Sequence, residues 1–247
     1  MLAISQAFAT NTGVKTTKMS DQARDGQEME NEIAGEGRRR FVVGIGASAG
    51  GLEALSALVS HLPDNLGASY VIVQHMSPNH RSMLVQLLSR ETRIPVCEIE
   101  DGTQPQPDRV YITPPNRNVV LQDGSFILTE PAAEIMPKPS VNIFFGSLAE
   151  DRGEDAIGVI LSGTGSDGAV GVRSIKASGG LIFAQEPTSA KYSGMPQAAI
   201  STECVDWTMT PEQIAAEIEV VVRARARSYC HQKTSKPRQP CAPCCNA

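Results

Sequence analysis

The stretch Phe41-Val42-Val43-Gly44-Ile45-Gly46-Ala47-Ser48-Ala49-Gly50-Gly51 decides how this chain folds. Three apolar residues lead into a glycine-rich octapeptide, the pattern of a buried strand turning sharply into a helix. Two chemistries share that pattern. As Gly46-x-Ser48-x-Gly50 it is a nucleophile elbow, a tight strand-to-helix turn that presents Ser48 Oγ at the top of a sheet. As Gly44-x-Gly46-x-x-Ala49 it is a dinucleotide fingerprint, whose glycines admit a pyrophosphate to a helix N-terminus. The next strand separates the two. A dinucleotide fold places an Asp or Glu at the end of its second strand to hold a ribose hydroxyl. Here Tyr70-Val71-Ile72-Val73 ends in Gln74-His75-Met76. A histidine does not serve the ribose, but it stands where a serine on the neighbouring strand needs a base.

The chain has four histidines: His61, His75, His80 and His231. His61 ends the first expected helix, and His231 falls in a polar tail. His80 opens the second expected helix and is the one rival to His75. Alone, His75 reads equally as a polar strand end; beside a G-x-S-x-G turn the base reading is favoured. A carboxylate should fix its tautomer through Nδ1 and stabilise its cation. The candidate is Asp167, after the unbroken apolar run Ile157-Gly158-Val159-Ile160-Leu161 and the loop Ser162-Gly163-Thr164-Gly165-Ser166. Such a run marks a parallel strand buried on both faces, whose C-terminal end is where open α/β sheets carry their sites. Asp167 also suits an N-cap for the helix expected to follow. The order Ser, His, Asp differs from the Ser, Asp, His order of α/β-hydrolases. Ala49, opening a helix, is an expected backbone oxyanion donor.

These blocks, with Glu100-Asp101-Gly102, Tyr111-Ile-Thr-Pro-Pro115, Lys138-Pro-Ser-Val141 and Gly194-Met195-Pro196, resemble the catalytic domain of chemotaxis protein-glutamate methylesterases, the CheB family. The resemblance covers about residues 41 to 206. It implies a catalytic triad at Ser48, His75 and Asp167, with a second backbone oxyanion donor from the loop carrying Thr164. It also implies hydrolysis of glutamate methyl esters on methyl-accepting chemoreceptors, and in some members deamidation of glutamines. Chemotaxis members usually carry Thr where this chain has Ala49, Met where it has Thr164 and Asp where it has Asn142. The stretches 147–151 and 189–196 look more like methylesterase domains fused to methyltransferase and sensor modules. No triad member is lost, and the substrate's identity is what these changes touch. No segment resembles the family's receiver domain, so activity is expected to be constitutive or controlled by a partner in trans.

Length and charge fit this picture. The 247 residues suit one α/β domain with tails. The expected division is a disordered leader over 1–40, a catalytic domain over 41–225 and a basic, cysteine-containing tail over 226–247, itself expected to be disordered. Arg223, Arg225, Arg227, Lys233, Lys236 and Arg238 follow the last acidic residue, Glu219. Setting those six aside leaves 16 basic against 27 acidic residues. An acidic body argues against nucleic acid as partner. No apolar stretch is long enough for membrane insertion, the N-terminus lacks a signal peptide's basic and apolar regions, and the cytoplasm is the default. Cys241-x-x-Cys244 near His231 has metal-like spacing but no second paired knuckle, so neither a metal nor a cofactor is expected. Cys97 and Cys204 read as buried residues of strands.

Helices are expected at 51–60, 78–91, 140–151, 167–177, 194–201 and 211–225, alternating with apolar strands. That alternation predicts an α/β fold, a mostly parallel sheet with helices on both faces. Residues 118–129 break the rhythm as an antiparallel hairpin around Asp123-Gly124. Two other classes stay open: an NAD(P)-binding oxidoreductase, and a non-catalytic receptor-binding module with a disabled site.

Overall fold

β1 (Val42–Ala47) is buried along its whole length, and the rest of the fold is arranged around it. The computed structural model describes residues 41–75, 83–130 and 139–234. From β1 the chain passes through α1 (Gly51–His61) to β2 (Ser69–Gln74), then α2 (Leu84–Leu88), β3 (Val96–Glu98) and β4 (Arg109–Ile112). A hairpin of β5 (Asn118–Gln122) and β6 (Ser125–Thr129) precedes α3 (Val141–Arg152) and β7 (Ala156–Ile160). The chain ends with α4 (Ala169–Ala177), β8 (Leu181–Gln185), α5 (Gly194–Ile200), β9 (Trp207–Met209) and α6 (Pro211–Thr234).

Seven strands form one sheet in the order β3-β4-β2-β1-β7-β8-β9. Every pairing in it is parallel. The chain builds outward from β1 in one direction as far as β3, then crosses to β7 and builds the other way. The gap between β1 and β7 is therefore the topological switch point, where open α/β sheets form a crevice beyond their strand ends.

Both faces of the sheet are covered. On one, Val43, Ile45 and Ala47 pack with Leu55 and Leu58 of α1 and Ile214 and Ile218 of α6. On the other, Val42, Val71 and Val73 pack with Phe144, Phe145 and Leu148 of α3 and with Val172 and Ile175 of α4. Fully burying each such side chain is worth about 1.5–3 kcal/mol. Gly44 and Gly46 explain how closely α3 lies on β1. A Cβ at Gly44 would stand 2.9 Å from the rings of Phe144 and Phe145, and one at Gly46 would stand 2.6 Å from Val141 Cγ1. Both glycines lie inside the strand beneath a helix, not in a loop open to a pyrophosphate.

The hairpin is present, with Asp123 and Gly124 both at positive φ, 50° and 76°, as a two-residue type I′ turn requires. It moors α3 at three points. Ser140 N–H donates to Asn118 Oδ1, Leu121 N–H to Ser147 Oγ and Gly124 N–H to Asp151 Oδ1, at 2.9–3.0 Å.

Several boundaries differ from those read in the sequence. The helix expected over 78–91 is described only as the short α2; residues 76–82 lie outside the described residues. α6 does not end at 225 but runs on to Thr234, because Arg223-Ala-Arg-Ala-Arg227 alternates two strong helix formers. Residues 1–40 and 235–247 lie outside the described residues. Cys97 is half-buried in β3, whereas Cys204 is half-buried in the loop before β9 and not in a strand.

Candidate active site

Ser48 is the first residue after β1, at the switch point. Its N–H donates to the carbonyl of Ser162, beyond the end of β7, at 3.0 Å. Its carbonyl accepts from Gly51 N–H at 2.9 Å and from Gln74 Nε2 at 3.0 Å. Gly50, at φ 68°, turns the chain into α1 in a conformation that side chains disfavour. Ser162 Oγ donates to the Ala49 carbonyl at 3.0 Å, and Gln185 Oε1 receives Ser162 N–H at 2.8 Å. The turn is thus gripped from both neighbouring strands. Beside it the Thr164 loop closes tightly, since a Cβ at Gly163 would lie 2.9 Å from Ser48 Cβ and 2.2 Å from Met195 Sδ. Among the described residues, the N–H groups of Ala49 and Thr164 meet no hydrogen-bond acceptor.

His75 follows β2 directly. Its N–H donates to the Ala47 carbonyl at 3.0 Å, one step past the last strand pair, Ala47 with Gln74. Ser48 and His75 therefore sit side by side on adjacent strand ends. No hydrogen bond joins Ser48 Oγ to the ring among the described residues. The ring instead meets Asp167, with Nε2 2.8 Å from Oδ2, and the two side chains are 8% and 5% exposed. The contact uses Nε2 and not the expected Nδ1.

Asp167 is more heavily engaged than an N-cap of its own helix would be. Oδ2 also accepts Val141 N–H at 2.7 Å. Oδ1 accepts Asn142 N–H at 3.0 Å, Gly168 N–H at 3.0 Å and Ser140 Oγ at 3.3 Å. The cap reading of Asp167 thus has the wrong helix. The carboxylate binds the N-terminus of α3, where unpaired N–H groups and the helix dipole favour an anion. The N-cap of α4 is Gly168, which offers no side chain. Asn142 fills that role from α3: its Oδ1 accepts Gly168 N–H and Gly171 N–H, each at 2.9 Å. Burial pushes the Asp167 carboxyl upward, but the His75 hydrogen bond and the N–H groups of Val141 and Asn142 outweigh it. The group is held below its ordinary value.

The other histidines and Asp101 have other roles or lie elsewhere. His61 Nδ1 lies 2.8 Å from the Ala57 carbonyl at the exposed end of α1. His80 lies outside the described residues, and His231 belongs to the last turns of α6. Asp101 Oδ1 accepts Leu128 N–H at 2.7 Å and so tethers the hairpin. Gln74, Ser140 and Ser162 stand inside the quoted motifs with no role assigned there, and Gln185 lies outside them, because polar residues at strand and helix ends carry no periodic signal. Among the described residues no cluster of His, Cys, Asp and Glu could hold a metal ion, and no helix is long and apolar enough to cross a membrane.

A parallel α/β sheet whose polar side chains converge at its switch point defines the class. Within that class the chain belongs to the CheB methylesterase family, whose model matches residues 43–218. The protein-glutamate methylesterase/protein-glutamine glutaminase 3 of Pseudomonas aeruginosa is 34% identical over 186 residues, covering 75% of this chain and 56% of its own. The protein of that name without a number from Photorhabdus laumondii is 37% identical over 172 residues, 68% of this chain and 49% of its own. The chain therefore spans about half the length of these curated relatives. The crystal structure of the Thermotoga maritima CheB methylesterase catalytic domain matches with a TM-score of 0.70 and 31% identity, covering 73% of this chain and 98% of that one. The family resemblance and the α/β fold read from the motifs are both borne out.

Proposed function

We propose that this protein hydrolyses methyl esters of glutamate side chains on a methyl-accepting chemoreceptor or another methylated signalling protein, using Ser48, His75 and Asp167. The observation that carries this reading is the buried His75–Asp167 hydrogen bond on the strand ends flanking Ser48. In the first step Ser48 Oγ attacks the ester carbonyl while His75 Nδ1 takes its proton. The Ala49 and Thr164 N–H groups face the developing oxyanion. The same proton passes to the departing methoxide, which leaves as methanol. Water, deprotonated by His75, then cleaves the acyl-serine and frees the glutamate. Asp167 stays ionised throughout and stabilises the imidazolium. Deamidation of glutamine would follow the same path, with ammonia as the leaving group. Membership of the CheB family supports the ester class.

Coverage of Gly44 and Gly46 by α3 counts against an NAD(P)-binding alternative. The test is methanol release from methyl-labelled receptor membranes of the host, with labelling by a serine-reactive fluorophosphonate alongside. The wild type should release methanol and take the label. Ser48→Ala should lose both without a change in melting temperature, and His75→Ala should lose comparable turnover because triad members act as a unit. A Ser48→Ala protein with near-normal turnover would overturn the proposal. An unlabelled, inactive wild type would favour a non-catalytic receptor-binding module.

A further inference from the structure

α3 and α4 begin side by side, and each start is capped by a residue of the other. Asp167, two residues before α4, takes the first N–H groups of α3, from Val141 and Asn142. Asn142, in the first turn of α3, takes the N–H groups of Gly168 and Gly171 at the start of α4. The two caps meet at one donor. Gly168 N–H lies 2.9 Å from Asn142 Oδ1 and 3.0 Å from Asp167 Oδ1. Whatever holds Asn142 therefore holds the Asp167–Gly168 peptide, and with it the carboxylate on His75.

From this geometry we infer that Asn142 is a positioning residue for the Ser48–His75–Asp167 reaction: its neutral amide locks Asp167 against His75 without adding a second negative charge there. The inference rests on the hydrolase reading for its catalytic meaning, but the arrangement can be tested apart from it.

An amide oxygen and a carboxylate oxygen cap a helix about equally well. If capping were all that position 142 did, Asp would replace Asn without consequence. Charge makes the difference. The first turns of α3 and α4 carry no acidic residue. Among the described residues the His75 ring, just after β2, is the titratable side chain hydrogen-bonded to Asp167. A carboxylate at position 142 would share the Gly168 N–H with Asp167 and so add a second anion next to the one that His75 binds. An added anion, opposite in sign to the imidazolium, favours the protonated ring. His75 would then need a higher pH to become the neutral base that accepts the serine proton.

The experiment is a titration of the His75 imidazole by NMR in the full chain, with its signal assigned by His75→Gln. It is run on the wild type, Asn142→Asp and Asn142→Ala. In Asn142→Asp the His75 midpoint should rise by about one pH unit. The acid limb of kcat/KM should move by the same amount, with KM unchanged on the alkaline plateau. Asn142→Ala adds no charge, so its midpoint should not rise. Its kcat should fall about tenfold with KM held, because Asp167 loses its brace. Should Asn142→Ala fail to fold, Asn142→Asp keeps both cap bonds and decides the matter alone. A His75 midpoint in Asn142→Asp within about 0.2 unit of wild type, on the scale of the expected shift, would overturn the inference. Failure of the hydrolase reading would look different: no Ser48-dependent ester hydrolysis in the wild type, with the His75 midpoint still reporting on the brace.

Discussion

Asp167 does two jobs with one carboxylate, and the conservative substitution separates them poorly. Both oxygens accept backbone N–H groups, from Val141 on one side and from Asn142 and Gly168 on the other. An asparagine there must turn its NH2 toward one of those donors or toward the His75 ring. Asp167→Asn is therefore expected to lose about 1–3 kcal/mol of stability, the cost of burying groups without partners. Turnover should fall at least about a hundredfold, since the same change in the triad of a serine protease costs about four orders of magnitude. Thermal melts with methanol release check both losses. Turnover within about threefold of wild type would remove Asp167 from the reaction. The sign of the pH effect follows from the lowered carboxyl. Its contribution to stability is complete above the ordinary Asp value, near 4. It is lost as pH falls through the lower folded value. Acid unfolding of Asp167→Asn should thus be less steep than that of the wild type below about pH 4.

Among the elements, the contact of β1 with α3 governs the site, because α3 carries the N–H groups that seat Asp167. Gly46→Ala would drive a methyl into Val141, the first residue of that helix. Overpacking of this kind costs about 1–3 kcal/mol, and here it should also lower kcat, since the shift reaches Asp167 directly. Equal melting temperatures and activities for the two proteins would show that α3 yields without effect. The same contact marks where sequence reading reaches its limit. Strand and helix positions are legible from apolar runs and turn residues, and the Asp123-Gly124 hairpin from its turn chemistry. Ser48 and His75 are legible because strand ends gather at one edge of a parallel sheet. Gly44 and Gly46 look like ligand-binding glycines in sequence, since nothing local says that Phe144, Phe145 and Val141 lie on them. Likewise the partner helix of Asp167 is 26 residues away in the chain, and local capping rules point only to the helix that follows. The end of α6 is hidden because charge suggests a tail, while Ala and Arg sustain a helix to Thr234.

For the whole molecule, the described fold and the family match both begin within a few residues of Phe41. Removing residues 1–38 and 235–247 together is expected to shift the melting temperature by less than about 2 °C, below what the loss of 1 kcal/mol produces in a domain of this size. Activity should also be retained; a large drop in either, measured by calorimetry and methanol release, would assign those segments a structural role. The hydrogen bond from His75 to Asp167 spans 92 residues, and it exists only once both halves of the parallel sheet have joined across β1 and β7. Parallel pairings between distant segments close slowly, after helices have formed. The His75–Asp167 contact is thus a late clock of assembly. On dilution from denaturant, helical circular dichroism should recover first and ester hydrolysis should trail it, keeping time with the docking of β7 on β1.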